Sequence, residues 1–553
     1  MDIDEFRERG KEMIDYICEF VSTIKDKRVT PDLQPGFLKP LLPSEAPVDP
    51  ESWDEIVKDV ENKIVPGLVH WQHPRFFAYF PAGNSFPSLL GDILCDAMGC
   101  IGFSWASSPS CTELETIVLD WFGKAIGLPK ELLYFTENSQ GGGSLQGSAS
   151  DCIFVAMVAA RDHTIARLKE KPEYAHLDET ALLGKLVAYC STQSHSCVEK
   201  GARVSFFTLR ILEPDEHSSL RGATLEQAIE ADVAAGLIPF FVSTTLGTTG
   251  GCAFDNLEEI GPVCRKYEEI WLHVDGAYAG NSFICPEFRY LMAGIEYADS
   301  FNTNPNKFLL TNFDCSCLWV RDRMKVIKAL VVDPIYLEHP NEESAIDYRN
   351  WSLPLSRRFR SLKLWFVLRN YGISGLQAYI RNHVKVAKHF EALVKTDPRF
   401  EVVNDVLLGL VCFRAKGTDD FNKEFLMNIN DSGKLHMIPS VINGQYIIRF
   451  AIGAPNATLE DVEIAWSIIK EILADTMARK PHKKHTFISR IVADPASQTG
   501  FAKIPLLNKP ETQPTIASRT SRSLKSQPAL RSWVSRPLAY LKHTRDAADT
   551  GES

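Results

Sequence analysis

The middle of the chain alternates between short apolar runs and amphipathic runs. This alternation predicts strands at 186–190, 238–246 and 270–275, with helices at 224–235 and 256–269 between them. Strands and helices in this order form right-handed βαβ units, so we expect a largely parallel sheet buried between helices. With 553 residues, 45% of them hydrophobic and 24% charged, the chain is long enough for a large core of this α/β class.

Polar residues follow these strands at the places where a parallel sheet binds its ligands. Asp275 ends the third strand, His195 follows the first, and Thr249 follows the second. Because open α/β sheets bind ligands at the carboxyl ends of their strands, these positions favour a site. Each residue also has an ordinary explanation, since an aspartate often caps a turn and a lone histidine is usually structural or solvated.

A second stretch, SFNTNPNKFLLTNFDCS at 300–316, places Lys307 between a turn fixed by Pro305 and an apolar run that begins at Phe308. Burial lowers the pKa of a lysine amine, which leaves its neutral form available to condense with an aldehyde. Most lysines are solvated surface residues, but Lys307 is accompanied by Asp275. A lysine for a carbonyl linkage and a carboxylate for a pyridinium nitrogen are the two groups that pyridoxal 5′-phosphate (PLP) requires.

Together, the stretches HVDGAYAG at 273–280 and NPNKFLLTNFDCS at 304–316 resemble the group II PLP-dependent amino-acid decarboxylases, the family of the aromatic amino-acid and histidine decarboxylases. The likeness runs from residue 1 to about residue 480. Within that family, the second stretch is most similar to the insect-type tyrosine decarboxylases. The resemblance implies the PLP-dependent transferase fold type I, which is aspartate aminotransferase-like and has a mostly parallel seven-stranded sheet in its large domain.

The resemblance also implies a division of the chain. We expect an N-terminal helical dimerisation arm at 1–87, a large PLP-binding α/β domain at 88–360, a small C-terminal α+β domain at 361–479 and a tail at 480–553. The arm opens with an amphipathic helical pattern at 2–27 and wraps a partner subunit in family members, which implies a homodimer with active sites at the subunit interface. The tail is basic, rich in Ser and Pro, and predicted to be mostly disordered.

Several residues are assigned to the cofactor by this resemblance. Lys307 is expected to hold PLP, Asp275 to keep its ring nitrogen protonated, His195 to stack on its ring and Thr249 to bond near its ring hydroxyl. The stretch at 139–160 is a Gly-rich loop followed by an apolar helical pattern. Such a run alone is more often a flexible loop, although free N–H groups at a helix start bind anions. By resemblance, Ala149, Ser150 and Asn304 contact the phosphate.

The segment 68–115 is dense in aromatic and small residues. Aromatic residues in such number usually form core, and the alternative is a wall for a planar aromatic substrate. The resemblance favours the wall, with substrate positions at Trp71, Tyr79, Phe80, Pro81 and Ala82, and with Ile101 and Phe103 reaching the site from the other subunit. His70 and His73 lack further ligands nearby in the sequence, so no metal is predicted.

Residues 331–351 are polar and interrupted by proline, which is typical of a mobile loop. Tyr336 either anchors this loop or acts as a phenolic acid. The resemblance implies that it returns a proton to the substrate Cα. Relatives with phenylalanine there, or asparagine in place of His195, form aldehydes, so this chain is interpreted as a true decarboxylase. Ser356 matches a position linked to substrate choice.

Four positions depart from the common family pattern. Asn306 replaces a histidine, as it does in the insect-type tyrosine decarboxylases, and Phe308 replaces a tryptophan with loss of an indole donor. Ala82 stands where threonine is frequent, which removes a hydrogen bond. Gly276 replaces an alanine, and we expect the change to leave more space beneath the cofactor ring.

Composition excludes several other classes. The net charge is −10, with about −18 on residues 1–479 and about +8 on the tail, so nucleic acid is not the expected partner. Thirteen cysteines without a C-x-x-C pair, and no leader segment, predict a reduced cytoplasmic protein. The one long uncharged run, 234–254, contains Pro239 and suits a strand and loop better than a membrane helix.

The sequence therefore predicts PLP-dependent decarboxylation of an aromatic L-amino acid, with tyrosine giving tyramine. Decarboxylation of Dopa, tryptophan or histidine, and aldehyde synthesis, are the enzymatic alternatives. An inactive scaffold with the same fold is the alternative of another class.

Overall fold

The computed structural model describes residues 1–267, 270–341 and 345–478. The tail predicted to be disordered from residue 480 onward lies outside the described residues. Within the described part, no helix combines the length and the apolar character that crossing a bilayer requires.

A seven-stranded sheet forms the centre of the molecule. Its strands are β1 Gly142–Gln146, β2 Leu186–Ser191, β3 Thr208–Leu212, β4 Ile238–Thr245, β5 Trp271–Asp275, β6 Ser300–Thr303 and β7 Ser316–Val320. They lie in the order β1-β7-β6-β5-β4-β2-β3. Strand β7 runs in the opposite direction to the other six, so its pairs with β1 and β6 are antiparallel and the remaining pairs are parallel. The prediction of a mostly parallel, seven-stranded sheet is thus confirmed.

Fourteen helices accompany the strands in the described residues. They are α1 Ile3–Thr23, α2 Trp53–Asp59, α3 Phe86–Met98, α4 Pro109–Ile126, α5 Ala149–Glu170, α6 Glu179–Leu183, α7 Cys197–Ser205, α8 Gly222–Ala234, α9 Leu257–Arg265, α10 Pro305–Phe308, α11 Arg323–Leu330, α12 Arg360–Thr396, α13 Asp419–Asp431 and α14 Leu459–Ala478. Helix α1 matches the predicted N-terminal helix, and α8 and α9 lie between strands as predicted.

Helices cover both faces of the large sheet, which explains why its central strands are buried throughout. Leu272 and Val274 of β5 join a core cluster with α4, α8 and α9. Trp271 of the same strand points to the other face and packs in a cluster with α5 and α7. Successive side chains of a strand alternate between faces, so β5 is buried on both sides and only its end is open to a ligand.

A second sheet lies toward the C-terminus. Its strands are β8 Phe400–Val402, β9 Leu410–Ala415, β10 Ile438–Ile442 and β11 Gln445–Ala451, all antiparallel in the order β10-β11-β9-β8. Helices α13 and α14 pack with this sheet in one core cluster. The predicted small C-terminal α+β unit is therefore present.

One segment differs from the sequence-based expectation. The Gly-rich stretch is a loop only in part, because 142–146 forms β1 by pairing with β7. Helix α12 is interrupted at Gly372, where φ is 63° and ψ is 172°. Glycine adopts this backbone conformation without the steric penalty that other residues would meet.

Candidate active site

The candidate site is organised by three adjacent strands, β4, β5 and β6. Asp275 is the last residue of β5 and pairs in register with Thr245 of β4 and Asn302 of β6. Asn304 and Lys307 follow β6 directly. The topology therefore brings the acid and the lysine to the same edge of the sheet, where parallel strands bind ligands.

Lys307 lies in the single helical turn α10, which Pro305 begins. Its backbone N–H donates to Asn304 O at 2.8 Å, and Phe308 next to it is fully buried against Tyr278, with ring centroids 4.8 Å apart. Desolvation by burial lowers the pKa of Lys307, while the nearby Asp275 opposes that shift. The turn therefore holds an amine whose neutral form is more accessible than that of a solvated lysine.

A chain of buried hydrogen bonds ends on Asp275. Trp271 Nε1 donates to Ser300 Oγ at 2.7 Å, and Ser300 Oγ lies 2.7 Å from His273 Nδ1. His273 Nε2 lies 2.9 Å from Asn302 Oδ1. Asn302 Nδ2 then donates to Asp275 Oδ1 at 3.0 Å. This chain of hydrogen bonds was not predicted from the sequence, although its members alternate along β5 and β6.

The direction of each bond in this chain follows from its two ends. An ionised Asp275 only accepts, so Asn302 presents its NH₂ group to the acid and its Oδ1 to His273. His273 then donates from Nε2, and its Nδ1 accepts from the Ser300 hydroxyl. This is a neutral tautomer, and burial lowers the pKa of His273 to about 4. The carboxylate is thereby held in one orientation by groups that have no other arrangement available.

His195 lies beyond the end of β2, just before α7. Its Nδ1 accepts a hydrogen bond from the Cys197 N–H at 3.2 Å, which leaves Nε2 as the protonated nitrogen of the neutral ring. The His195 side chain is exposed to solvent, yet partial desolvation by the surrounding protein lowers its pKa. The charge of Asp275 opposes this shift, and that of Lys307 adds to it. The three predicted residues therefore act on one another electrostatically.

Two neighbouring threonines follow β4 and differ in surroundings. Thr248 is fully buried, and its Oγ1 accepts from the Ala253 N–H at 3.0 Å. Thr249, the residue predicted to contact the cofactor, is exposed. Its hydroxyl is therefore open to an added group, whereas that of Thr248 stabilises the turn.

The start of α5 meets the requirements of an anion site. The helix begins at Ala149, and Ser148 caps it by accepting from the Asp151 N–H at 3.2 Å. Ser150 interacts with the Cys197 thiol and opposes the rise that burial causes in its pKa, which places the helix start beside the residues that follow β2. Asn304 is buried, and its amide can bond a phosphate oxygen only through the Nδ2 donor, because Oδ1 is an acceptor. These groups suit a phosphate at a helix N-terminus.

Arg449 of β11 was missed by the sequence analysis. Its side chain is 1% exposed, and among the described residues none of its three guanidinium nitrogens has a hydrogen-bond partner. The guanidinium lies 5.0 Å from the Phe80 ring centroid, and Lys307 Nζ lies 5.9 Å from the same centroid. Burial lowers the pKa of Arg449. A single arginine in the apolar run YIIRFA is the signal that could have revealed it.

The predicted aromatic wall separates into two groups. Phe80 is buried and stacks on Tyr278 with ring centroids 3.9 Å apart, and its own centroid lies 5.9 Å from Lys307 Nζ and 5.0 Å from the Arg449 guanidinium. Trp71 and Tyr79 stack on each other at 5.0 Å and are 38% and 46% exposed. The first group therefore lies beside the lysine.

The other predicted substrate residues are placed as follows. Pro81 is buried, Ala82 and Phe103 are half-buried, and Ile101 and Ser356 are exposed. The Ala82 carbonyl accepts from Gln72 Nε2 at 2.7 Å. Tyr336 lies in the turn Ile335–Leu337 and is 78% exposed, so the chain alone does not bury it in the site.

Two departures from the family pattern, Gly276 and Asn306, are explained by local packing and hydrogen bonding. A Cβ at Gly276 would lie 2.8 Å from Phe301 Cε2 and 3.2 Å from Asn302 O, so the expectation of extra space beneath the cofactor ring is wrong: Phe301 already fills it. Asn306 accepts from the Cys315 N–H at 3.2 Å and, through its carbonyl, from the Gly83 N–H at 2.7 Å. Asn306 therefore joins the lysine turn to the segment that follows Phe80.

The residues present fit PLP. Lys307 supplies a desolvated amine, Asp275 an oriented carboxylate, and the start of α5 an anion site, all at one end of the sheet. Each of these groups matches one part of the cofactor: its aldehyde carbon, its ring nitrogen and its phosphate.

Comparisons with known proteins agree with this geometry. Residues 35–416 match the family model described as the pyridoxal-dependent decarboxylase conserved domain. The chain is 50% identical to the aromatic-L-amino-acid decarboxylase of Mus musculus over 480 residues, which cover 86% of this chain and 99% of the mouse protein. It is also 50% identical to the histidine decarboxylase of Drosophila melanogaster over 478 residues, covering 86% of this chain and 56% of the fly protein.

A solved structure gives the same result at the level of the fold. The crystal structure of Oryza sativa TDC with PLP and tryptamine matches with a TM-score of 0.83 and 35% identity, covering 86% of this chain and 99% of the rice chain. Because the family model matches more than half of this chain and the mouse protein is 50% identical over 99% of its own length, the chain belongs to the pyridoxal-dependent decarboxylase family, and its cofactor is PLP.

Proposed function

We propose that the protein decarboxylates an aromatic L-amino acid, with L-tyrosine giving tyramine and carbon dioxide. One observation carries the proposal: the amine of desolvated Lys307 and the unpartnered, buried guanidinium of Arg449 lie 5.9 and 5.0 Å from the centroid of one aromatic ring, Phe80, while the oriented Asp275 acts electrostatically on the same lysine. The lysine and aspartate suit the cofactor. The guanidinium suits a carboxylate, and a decarboxylase must bind the carboxylate that it removes.

The residues of the chain take distinct roles in this proposal. When bound, PLP supplies the electron sink for the bond between Cα and the carboxylate. Lys307 holds the cofactor, Asp275 keeps its ring nitrogen protonated, and His195 packs on its ring. Thr249 bonds near the ring hydroxyl. The start of α5, at Ala149 and Ser150, together with Asn304, binds the phosphate.

The substrate is held by groups of opposite character. Arg449 pairs with the α-carboxylate, and its buried position makes that pair strong because little water competes for it. Phe80 and its neighbours Pro81 and Ala82 pack against the substrate. Trp71 and Tyr79, with Ile101 and Phe103 of a second subunit, complete the wall in the proposed dimer. Tyr336 returns a proton to Cα, for which a phenol is a suitable acid.

The preference for tyrosine rests on the likeness of the 304–316 stretch, including Asn306, to the insect-type tyrosine decarboxylases. Aromatic substrates in general are supported by the names of the relatives that are half identical to this chain. Ser356 is a candidate for selecting among them.

A homodimer is the proposed assembly. Helices α1 and α3, within and just after the proposed arm at 1–87, expose large apolar side chains in a row, and exposed apolar patches of this kind mark protein contacts. On α1 they are Ile3, Phe6, Ile14 and Val21, and on α3 they are Phe86, Leu90, Ile93, Leu94 and Met98. Light scattering after size exclusion is expected to give about twice the 62.0 kDa mass of the chain. A monomer that is active at the same concentration would contradict the assembly.

The function is tested with tyrosine, Dopa, tryptophan and histidine assayed side by side for amine and carbon dioxide. We expect the highest kcat/KM for tyrosine, equal amounts of the two products, and no oxygen uptake. Lys307→Ala should abolish both the activity and the visible absorption of the bound cofactor. Equal behaviour of Lys307→Ala and the wild type would favour the inactive scaffold. Peroxide and ammonia in stoichiometric amounts would favour an aldehyde synthase.

A further inference from the structure

Residues on both sides of Tyr336 are held by buried charged side chains. Asp333, three residues before Tyr336, accepts from Arg349 Nη2 at 3.0 Å, and Arg349 Nη1 donates to Val332 O at 2.8 Å. His339, three residues after Tyr336, has its Nε2 at 3.1 and 3.0 Å from the two oxygens of Asp347. The loop that the sequence predicts to be mobile is therefore fixed at its base.

The same side chains bind a distant segment of the chain. Asp347 Oδ1 accepts from the Trp105 N–H at 2.9 Å. The Arg349 N–H donates to Phe103 O at 2.8 Å, and Arg349 Nε lies 3.5 Å from Asp347 Oδ2. Tyr336 and Phe103 are thus attached to one cluster, although more than two hundred residues separate them in the sequence.

Burial distinguishes this cluster from an ordinary surface ion pair. The side chains of His339, Asp347 and Arg349 are 6%, 8% and 4% exposed, whereas Tyr336, which they flank, is 78% exposed. Exposed ion pairs contribute little because water and salt screen them. Removing one partner of a buried, hydrogen-bonded pair leaves the other unsatisfied, so the cluster resists separation.

The geometry points to a positioning role, which rests on the proposed function. We propose that His339, Asp347 and Arg349 form a latch that fixes the Tyr336 turn to the 101–105 segment, so that the proton donor and the wall for the substrate ring are presented together. His339 is the member that joins the C-terminal side of the turn to the latch. The neutral ring suffices for this role, because Nε2 donates to Asp347 while Nδ1 accepts from the Asn341 N–H at 3.3 Å.

The test uses the holoenzyme of the wild type, His339→Ala, His339→Gln and His389→Gln. His389 Nε2 lies 2.9 Å from Glu463 in the C-terminal region and serves as a matched histidine–carboxylate control outside the latch. Glutamine at 339 keeps a donor near the position of Nε2, so it is the conservative variant. We expect His339→Ala to lower kcat roughly 10- to 100-fold with a smaller change in KM, as for a misplaced catalytic group, and His339→Gln to restore much of the loss.

Two further measurements separate positioning from general stability. Chymotrypsin, applied to the native protein with and without cofactor, should cleave after Tyr336 faster in His339→Ala than in the control, because the turn has lost one attachment. Oxygen uptake per carbon dioxide released should also rise. In that side reaction the amino acid, oxygen and water give the aldehyde, carbon dioxide, ammonia and hydrogen peroxide in equal amounts, and it competes when the proton is not delivered to Cα.

The latch is overturned if His339→Ala matches His389→Gln in cleavage, in kcat and in oxygen uptake. Tyr336→Phe distinguishes this failure from a failure of the proposed function. Wild-type products from Tyr336→Phe would overturn the role of Tyr336 itself, and the catalytic purpose of the latch with it. Altered products from Tyr336→Phe, together with wild-type behaviour of His339→Ala, would overturn the latch alone.

Discussion

Asn302 Nδ2 donates a hydrogen bond to Asp275 Oδ1 at 3.0 Å, and no solvent-exposed group takes part in this contact. The two residues end adjacent strands in register. Because Asn302 also accepts from His273, its amide cannot turn over without breaking two bonds at once. The orientation of the acid is therefore a property of the sheet and not of a loop.

Asn302→Leu should weaken PLP binding. Leucine keeps the branched side-chain shape of asparagine but removes the donor to Asp275 and the acceptor for His273. Hydrogen bonds to charged groups contribute about 1.5–3 kcal/mol, so the Kd for PLP should rise roughly 10- to 100-fold. Fluorescence titration of the apoenzyme measures it. Asn428→Leu, which removes an amide bonded to Thr476 in the C-terminal unit, is the control. Equal Kd values for the two variants would contradict this role of Asn302.

The stability of the protein should fall as the pH drops below 6.5. Burial lowers the pKa of His73, His273 and His436 to about 4 in the folded state. The unfolded chain, with histidine pKa values near 6.5, therefore binds more protons than the folded chain between pH 6.5 and 4. Each group should lower the free energy of unfolding by about 1.4 kcal/mol per pH unit in that window, and have no effect above it.

Urea unfolding across this pH range measures the effect. Replacement of a buried histidine by an uncharged residue should reduce the slope, and His73→Leu is the simplest variant because Nε2 of His73 has no partner among the described residues. His217→Leu, at a side chain that is 67% exposed, should leave the slope unchanged. If the wild type, His73→Leu and His217→Leu show the same dependence of the free energy of unfolding on pH, the buried His73 does not contribute to it.

Arg449→Met should stabilise the fold while impairing the enzyme. The guanidinium is buried without a hydrogen-bond partner in the described residues, so its removal relieves a desolvation penalty. Its loss also removes the proposed partner of the substrate carboxylate, and kcat/KM should fall by about 100-fold. Thermal unfolding and steady-state kinetics measure the two effects. Inhibition by the product amine, which has no carboxylate, should change little. A variant that loses affinity for both ligands equally would contradict the pairing.

Gly276→Ala should destabilise the protein by about 1–3 kcal/mol, as overpacking of a core does. The added methyl group would lie 2.8 Å from Phe301 Cε2. Gly375→Ala is the matched control, since its Cβ would lie 3.4 Å from the nearest atom and the site is helical. Combining Gly276→Ala with Phe301→Leu should recover part of the loss. Urea denaturation of the single and double variants checks this, and a neutral effect of the single change would show that the Phe301 ring moves freely.

The sequence was sufficient for the features that follow from strand order. Asp275 could be placed at the ligand-binding edge because it ends a strand that reads as buried. Lys307 was paired with it on chemical grounds, because PLP requires both a lysine and a carboxylate. Features that depend on pairing between distant segments could not be found this way. The Gly-rich stretch has the local composition of a loop, yet its residues 142–146 pair with β7 and form a strand of the sheet. Arg449 becomes notable only when its lack of partners is known.

Residues at the surface of the chain show the same limit. Tyr336, Ile101 and Ser356 are exposed in the described chain, so their predicted roles depend on a second subunit or on the substrate. The contacts of the latch join residues 103–105 to 332–349, and no local pattern relates such segments. Gly276 was misjudged for a similar reason, because Phe301, the residue that fills its space, lies on the next strand.

The reversed strand β7 has a consequence for how this scaffold can change. It lies between β1, which leads into the helix start at Ala149, and β6, which leads into Lys307. A slip of one residue in β7 would exchange the faces of all its side chains, so insertions and deletions within the strand are strongly disfavoured. The distance between the helix start at Ala149 and Lys307 is consequently fixed by strand pairing. Changes in substrate specificity are therefore expected in the surrounding loops, while the strands that position Ala149 and Lys307 stay the same.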